Sequence, residues 1–206
     1  MNVARILYPV KVLGPGNRIG IWIAGCPRRC VGCSNPELWE TQPKYEVTVF
    51  RIMQILIPLL KRRETDGVVI TGGDPFFDSR ELYHFLLSLE PYTKDVLVYT
   101  GYTMEEIQCG DACMKSCLDH IGVLIDGPYQ EQLNDGCRMR GSSNQHIYYL
   151  RPELKQCYEV YMTSSPNRIQ NFTVADGIVS VGIHSRGFNK KLISEARKRG
   201  VILGEQ

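Results

Sequence analysis

Four short apolar segments, each running into a glycine turn, restrict the folds open to this chain more than any other feature. They are separated by segments of helical pattern and are, in order, RIGIWIAG at 18–25, DGVVITGGDP at 66–75, KDVLVYTGY at 94–102 and IGVLIDGPY at 121–129. Strands that alternate with helices predict a parallel α/β sheet or a partial barrel. In such sheets the functional residues collect beyond the carboxyl ends of the strands, where the unusual sequences of this chain also lie.

The segments between these strands are predicted to be helical. A helix over 47–64 has one narrow polar stripe, so most of its circumference should be buried, and Pro58 should bend it. Asp78 is a good N-cap for a second helix over 79–90. Two short pieces, TMEEI at 103–107 and DACMKSCLDH at 111–120, are also expected to be helical.

The pattern changes after about residue 150. Three segments there are predicted to be short antiparallel strands with an ADG turn, namely CYEVYMTSS at 157–165, NRIQNFTVADG at 167–177 and IVSVGIHS at 178–185. A charged helix over 189–200 should follow. We therefore expect one main domain, residues 1–150, and a small C-terminal β/α appendage, residues 151–206.

Composition excludes several classes of partner and location. The 206 residues are 43% hydrophobic and 22% charged, with a formal net charge of +2, which is too weak to indicate a nucleic-acid partner. No signal peptide is visible, and the longest apolar run, IMQILIPLL, is too short to span a membrane. We expect a cytoplasmic protein. Because that compartment is reducing, eight cysteines favour metal or redox chemistry over disulfides.

Three of the cysteines form a CxxxCxxC motif in the loop after the first predicted strand. Cys26, Cys30 and Cys33 are spaced so that a loop of this length can place three thiolates around one iron-sulfur cubane. One iron would then lack a protein ligand, and an open coordination position is typical of catalytic metal sites. The spacing alone leaves two other interpretations open: a zinc site completed by Cys137 or His146, or three unrelated buried thiols.

The second predicted strand ends in TGGDP. Gly72 and Gly73 allow backbone carbonyls to approach a ligand closely, and Asp74 adds a carboxylate acceptor, so an ammonium group would fit there. On this interpretation a side chain at Gly73 should block the ligand and leave the cysteine loop intact. An ordinary turn ahead of a helix is the alternative.

Together the two motifs resemble the radical S-adenosylmethionine (SAM) superfamily. Five segments narrow the resemblance, in matching order, to the activating enzymes of anaerobic ribonucleotide reductase: GPGNRIGIWIAGCPRRCVGCSNPELW, VVITGGDPFF, VLVYTGYTMEEI, VLIDGPY and RGSSNQHIYYL. The resemblance implies a partial (β/α) radical-SAM barrel, a 4Fe-4S cluster and SAM. It also implies reductive cleavage of SAM and a glycyl radical on a partner enzyme. Reduced flavodoxin or ferredoxin would be the electron donor.

The resemblance also assigns roles to single residues. Cys26, Cys30 and Cys33 would hold the cluster, while the turn formed by Gly72, Gly73 and Asp74 would hold the methionine end of SAM. Thr100 and Asp126, at the ends of the third and fourth strands, would face the ribose or a nearby cation; strand-ending turns are the alternative. Three positions depart from the commoner pattern: Gly32 replaces an aromatic residue, as the reductase-activating group tolerates, Asp74 replaces a glutamate, and Leu13 replaces an aspartate.

Other residues admit more than one interpretation. The RGSSNQ segment, 140–145, would contact substrate or cofactor, or would be a purely structural loop. Arg28 and Arg29 would attract an acidic electron donor, or would simply be solvated. A second cluster on Cys109, Cys113 and Cys117 would require a broken helix, because in one helix the outer two lie about 12 Å apart along the axis.

Two other functions remain open at this point. A different radical SAM enzyme would use the same core on a peptide or a small metabolite. A non-enzymatic iron-sulfur or zinc module would keep the three cysteines but would have no need for TGGDP.

Overall fold

The computed structural model describes residues 1–164, 168–174 and 177–200. Its centre is a six-stranded sheet in which spatial order equals chain order. The strands are β1 (Val3–Val10), β2 (Arg18–Ile23), β3 (Gly67–Gly72), β4 (Val96–Tyr99), β5 (Val123–Ile125) and β6 (Ile147–Tyr149). Strands β2 to β5 are mutually parallel, and β1 and β6 flank them in antiparallel orientation. The predicted α/β class with a mostly parallel sheet is confirmed, whereas the two edge strands β1 and β6 were not predicted.

The register of the parallel strands places the two motifs side by side. Ile23, the last residue of β2, is paired with Gly72, the last residue of β3. The cysteine loop starts directly after Ile23, and the glycine turn continues directly after Gly72. Both motifs therefore leave the same edge of the sheet from neighbouring strands.

Helices from the first part of the chain cover one face of the sheet. They are α1 (Val49–Leu60), α2 (Ser79–Leu89), α3 (Met104–Cys109) and α4 (Ala112–Cys117). Asp78 caps α2 as predicted, because its side chain accepts the backbone N–H of Glu81. Within the described residues, none of the helices has the length and apolar character that crossing a membrane requires.

Helix α1 is less buried than its sequence predicts. Pro58 lies inside it, and Ile52, Met53 and Leu56 face the core. In contrast, Phe50 and Ile55 are 72% and 47% exposed. One layer of sheet covers only one side of a surface helix, so an apolar residue outside that stripe remains in solvent.

The C-terminal part of the chain covers the opposite face. It contains α5 (Lys155–Ser164), the antiparallel pair β7 (Gln170–Val174) and β8 (Gly177–Val181), and α6 (Phe188–Lys198). The strand predicted over 157–165 is wrong, since Cys157 to Ser164 lie in α5. Its aromatic residues, Tyr158 and Tyr161, are spaced for one helix face and are buried there. The β7–β8 pair is as predicted, but Ala175 and Asp176 of the proposed turn lie outside the described residues.

The apolar core on this opposite face of the sheet contains residues from both parts of the chain. Tyr158, Tyr161 and Val181 pack in it together with sheet residues such as Val69 and Leu97. The alternate residues of β3, Val68 and Ile70, belong to the other cluster, beneath the helices. Residues after 150 therefore complete the core of the sheet on its second face.

A buried ion pair lies at the amino-terminal edge of the parallel strands. Arg18 is fully buried, and its guanidinium donates to both carboxylate oxygens of Asp95, at 2.9 and 2.7 Å. The Tyr158 hydroxyl donates a further bond to Asp95 Oδ1 at 2.5 Å. Burial alone would lower the pKa of Arg18, but the interactions with Tyr158 and Asp95 raise it above its usual value. Tyr158 therefore bonds helix α5 to the edge of the sheet opposite the cysteine loop and the glycine turn.

Candidate functional site

A cavity of about 490 Å³ opens at the carboxyl ends of the parallel strands. Seven of the eight residues singled out from the sequence line it, namely Cys26, Cys30, Cys33, Gly72, Gly73, Asp74 and Thr100. Asp126 is not among the lining residues in the described part of the chain, although its neighbour Gly127 is. The fold thus gathers the cysteine loop and the glycine turn around one space.

The cysteine loop is closed at its base by backbone hydrogen bonds. Gly25 N–H donates to the Leu38 carbonyl and Cys26 N–H donates to the Trp39 carbonyl, both at 2.9 Å. Inside the loop Cys33 N–H donates to the Cys30 carbonyl at 3.1 Å. Gly32 has φ of +76°, a conformation that favours glycine, which gives a local reason for glycine in place of an aromatic residue. The loop is therefore a defined structure rather than an open connection.

The three thiols line the same cavity, but they do not lie close enough together to coordinate one metal ion. In the described part of the chain, no three side chains of His, Cys, Asp or Glu come close enough together to hold a metal ion. Burial raises the pKa of Cys26 and of Cys33, although the Asn35 N–H, 3.4 Å from Cys33 Sγ, acts in the opposite direction. A cation bound in the cavity would favour the thiolates that burial disfavours.

The glycine turn is bonded directly to the start of the cysteine loop. Gly73 N–H donates to the Ile23 carbonyl at 2.7 Å, and Asp74 N–H donates to the Gly25 carbonyl at 2.8 Å. A Cβ at Gly73 would lie 2.5 Å from the Gly25 oxygen and 2.7 Å from the Leu38 oxygen. A side chain at Gly73 would therefore push against the base of the cysteine loop. This geometry argues against the expectation that a side chain at Gly73 would leave that loop intact.

The carboxylate of Asp74 is fully buried and engaged by its own chain. Its oxygens accept bonds from the Thr100 hydroxyl at 2.7 Å, the Gly101 N–H at 2.8 Å and the Phe76 N–H at 3.0 Å. Burial raises the pKa of Asp74 to about 6, against the opposing effect of these donors. Asp74 therefore joins the end of β3 to the end of β4.

Asp126 has a similar joining role one strand further on. Its carboxylate accepts the Met104 N–H at 2.7 Å and the His146 N–H at 3.0 Å, and it lies 3.2 Å from His146 Nδ1. These bonds connect the end of β5 to the start of α3 and to the residue before β6. Its proposed contact with the ribose or a cation stays a prediction.

Three buried polar atoms around the cavity have no hydrogen-bond partner among the described residues. They are Nε of Arg28, the hydroxyl of Tyr99 and Nε2 of His184. Buried polar atoms are normally paired, so unpaired ones grouped at a cavity indicate a polar occupant. Three thiols, a close backbone turn and unpaired polar atoms together fit an iron-sulfur cluster with a polar organic ligand.

Comparison with known proteins decides the family. The model of a 4Fe-4S single cluster domain matches residues 12–148. The anaerobic ribonucleoside-triphosphate reductase-activating protein of Escherichia coli K12 is 34% identical over 152 residues, which cover 70% of this chain and 96% of that protein. The proteins of the same name from Vibrio cholerae and phage T4 are 34% and 33% identical; each match covers 94% of the relative, and 68% and 72% of this chain, respectively.

The chain belongs to this family of reductase-activating proteins. It is a radical SAM protein, and a 4Fe-4S cluster and SAM are its cofactors. The alternative of a zinc site finds no support in the described residues, because neither Cys137 nor His146 lines the cavity of the three cysteines.

Both arginines of the cysteine loop are paired within the chain. Arg28 bonds to Glu106 of α3, and its guanidinium lies 4.6 Å from the ring centre of Tyr102. Arg29 bonds to Glu40. In this activating protein the two arginines thus hold the loop against α3 and against the segment that follows the loop.

The RGSSNQ segment is held by bonds within its own loop. The Gln145 side chain accepts the N–H groups of Gly141 and Ser142, at 2.9 and 3.2 Å, and donates to the Gly127 carbonyl at 2.8 Å. Gly141 and Gln145 also line the cavity. The segment therefore has a structural role: it forms the part of the cavity wall that lies next to the end of β5.

The three cysteines near residue 113 do not form a second site in the described chain. The helix is broken between Cys109 and Ala112, as a second cluster would require, yet no metal-holding group results. Cys117 is buried, its thiol lies 3.6 Å from the Ser79 carbonyl, and burial raises its pKa to about 12. Its role is to pack α4 against α2.

Sequence reasoning missed one wall of the cavity. Residues 180–185, together with Gly187, Phe188 and Lys190, line it from the C-terminal part of the chain. These residues lie beyond the family match, which ends at residue 148. Their sequence predicts a strand and a helix, and no local motif indicates that they return to the carboxyl ends of the strands.

Proposed function

We propose that this chain activates an anaerobic ribonucleotide reductase by installing a glycyl radical on it. The observation that carries the proposal is the shared cavity, in which a CxxxCxxC loop and a glycine turn from neighbouring parallel strands meet in a chain of the activating-protein family. A turn without a ligand would not need to lie against three thiols.

In this proposal Cys26, Cys30 and Cys33 hold the 4Fe-4S cluster, each through its thiolate. When bound and reduced, the cluster would supply the electron for reductive cleavage of SAM to methionine and 5′-deoxyadenosine, with the hydrogen atom taken from the partner's glycine. The protein binds and orients the reacting groups, and its cavity limits their access to water.

The glycine turn is the proposed contact for the methionine end of SAM. Because the Asp74 carboxylate already accepts three bonds, backbone carbonyls of Gly72 and Gly73 are the better acceptors for the ammonium group. Asp74 then acts by positioning the turn. Thr100 lines the cavity beside it and is proposed to face the ribose, while Asp126 is proposed to act through the backbone that follows it.

Finer points of architecture, location and electron supply also belong to the proposal. The six-stranded sheet is interpreted as a partial radical-SAM barrel, with 1–150 as its core domain and 151–206 as a small C-terminal appendage. The reaction would take place in the cytosol, where thiols stay reduced, and every cysteine of this chain is free. Reduced flavodoxin or ferredoxin would supply the electron.

A second candidate is a radical SAM enzyme that modifies a peptide or a small metabolite. The C-terminal wall of the cavity favours it, because this wall lies beyond the family match and would suit a substrate of this chain's own.

One experiment separates the two candidates. The protein is reconstituted anaerobically with iron and sulfide, reduced with dithionite, and incubated with SAM and the anaerobic reductase of the same organism. We expect 5′-deoxyadenosine, a doublet glycyl signal in electron paramagnetic resonance, and cleavage of the reductase at that glycine on exposure to oxygen. Release of 5′-deoxyadenosine without any glycyl signal would contradict activation of a reductase and favour the second candidate.

A further inference from the structure

The C-terminal wall of the cavity is part of a segment that we call the strap, residues 168–174 and 177–188. The Gln170 side chain attaches one end of it to the end of β1, donating to the Pro9 carbonyl at 2.8 Å and accepting the Lys11 N–H at 2.9 Å. The Asn134 side chain, in the loop between β5 and β6, donates to the His184 carbonyl at 2.9 Å. The strap is thus held at two points, by the end of β1 and by the loop between β5 and β6.

His184 lies in the strap at the cavity, with its ring held in place. The ring stacks on Phe188, with centroids 4.2 Å apart and planes 8° from parallel, while the backbone is held by Asn134. Its Nε2 is buried and has no hydrogen-bond partner among the described residues. A rigid ring with an unpaired buried nitrogen indicates a partner that comes from outside the chain.

The chemistry of the ring narrows the choice of that partner. Burial lowers the pKa of His184, so the imidazole is neutral at physiological pH and can donate or accept one hydrogen bond. A neutral ring is poorly suited to the charged methionine end of SAM, but it suits an uncharged backbone amide. The adjacent wall residues Ser180, Gly182 and Ser185 have small side chains, which leaves room for an extended polypeptide.

We propose that His184 binds the polypeptide segment of the glycyl-radical partner, through a hydrogen bond between its ring nitrogen and the backbone of that segment inside the cavity. This inference rests on the proposed function and adds a residue to it. The strap would then restrict the entrance to one extended chain, and recognition of the partner would depend on residues beyond the part of the chain that matches the family.

Two variants of His184 and one control test the inference. His184→Phe keeps a ring that can stack on Phe188 but removes the nitrogen, whereas His184→Gln keeps a side chain that can hydrogen-bond. His84→Phe makes the same change at an exposed histidine of α2. For each cluster-loaded protein, the affinity for the anaerobic reductase of the same organism and the affinity for SAM are measured, after thermal melting has shown that the fold is intact.

We expect His184→Phe to bind the reductase about tenfold more weakly, which is the loss of one hydrogen bond with a buried partner left unpaired. His184→Gln should recover most of that loss, and His84→Phe should bind like the wild type. The affinity of His184→Phe for SAM should stay at the wild-type value.

Three results would overturn the inference, and they are distinguishable. If the wild type produces the glycyl signal but His184→Phe binds the reductase normally, only the role of His184 is wrong. If His184→Phe loses affinity for SAM, the ring faces the cofactor. If the wild type cleaves SAM but never produces the glycyl signal, the proposed function fails and the inference fails with it.

Discussion

The hydroxyl of Thr100 donates a 2.7 Å hydrogen bond to Oδ1 of Asp74, and both residues are buried. This bond joins the residue after β4 to the turn after β3, while the Asp74 N–H reaches the Gly25 carbonyl beside the cysteine loop. A single residue, Asp74, therefore connects the ends of three neighbouring strands, through its carboxylate and its backbone N–H. The stability of the site should depend on it even without cofactors.

Removing the Thr100 hydroxyl tests this connection. Thr100→Val keeps the shape of the side chain but leaves a buried carboxylate oxygen with one donor fewer, so the free energy of unfolding should fall by about 1–3 kcal/mol. Thr100→Ser retains the donor and should lose less. Denaturant unfolding of the cluster-free proteins measures the loss of unfolding free energy in each variant. Equal losses would show that the Thr100 hydroxyl does not contribute to stability.

The raised pKa of Asp74 predicts a specific pH dependence. Its pKa is about 6 in the folded protein against 3.8 as the reference, so between these values the folded state holds a proton that the unfolded state has lost. Stability from this group is therefore full below about pH 4 and is lost as the pH rises to about 6, by up to roughly 3 kcal/mol.

Asp74→Asn isolates this contribution, because the amide does not titrate. The difference in unfolding free energy between the wild type and Asp74→Asn should shift against the wild type between pH 4 and pH 6, and should be constant above that range. A difference that is independent of pH across the whole range would show that the pKa of Asp74 is not raised.

A substitution at Gly73 should disturb the structures of the glycine turn and the cysteine loop together. In Gly73→Ala the new Cβ would meet two backbone oxygens, which cannot move aside as the end of a side chain can. We expect both lower stability and lower iron content after reconstitution. Gly136→Ala is the control: nothing lies within 4 Å of its Cβ, and only the positive φ of +71° costs about 1 kcal/mol. Full iron content in Gly73→Ala would contradict the coupling.

The three cavity cysteines should be individually essential for the cluster. Alanine at Cys26, Cys30 or Cys33 removes one thiolate ligand, so iron and sulfide content should collapse and SAM cleavage should be lost. Cys109→Ala, at an exposed position outside the cavity, should reconstitute like the wild type. Zinc without sulfide in the wild type would contradict the cluster itself.

The sequence predicted the parallel part of the fold well, for a physical reason. Strand, turn and helix signals there are local, and parallel strands necessarily present their carboxyl ends at one edge. Seven of the eight predicted site residues therefore line one cavity. Asp126 follows β5 as expected, but its side chain turns towards Met104 and His146, which no sequence pattern reveals.

The C-terminal part was harder to predict, because its structure depends on distant contacts. The segment 157–164 has an aromatic and β-branched composition typical of strands, yet burial of Tyr158 and Tyr161 against the sheet favours a helix. His184 is anchored by Asn134, which lies fifty residues away in the chain. Such contacts leave no periodic signal in the sequence.

The last prediction concerns whether residues 151–206 fold together with the sheet. It uses the buried group formed by Arg18, Asp95 and Tyr158. Tyr158→Phe removes the 2.5 Å bond to the Asp95 carboxylate, so the free energy of unfolding should fall by about 1.5–3 kcal/mol. Tyr92→Phe, at a partly exposed tyrosine, should change it little. Arg18→Met leaves Asp95 without its cation and should cost about 3–5 kcal/mol.

The two substitutions should also be coupled, because both act on the same carboxylate. In the double variant the loss should differ from the sum of the single losses, and unfolding should remain one cooperative transition if α5 folds with the sheet. Unfolding in two separate transitions, with Tyr158→Phe affecting only one of them, would instead establish residues 151–206 as an independent unit. The strap would then be free to move over the cavity without disturbing the sheet that holds the cysteine loop.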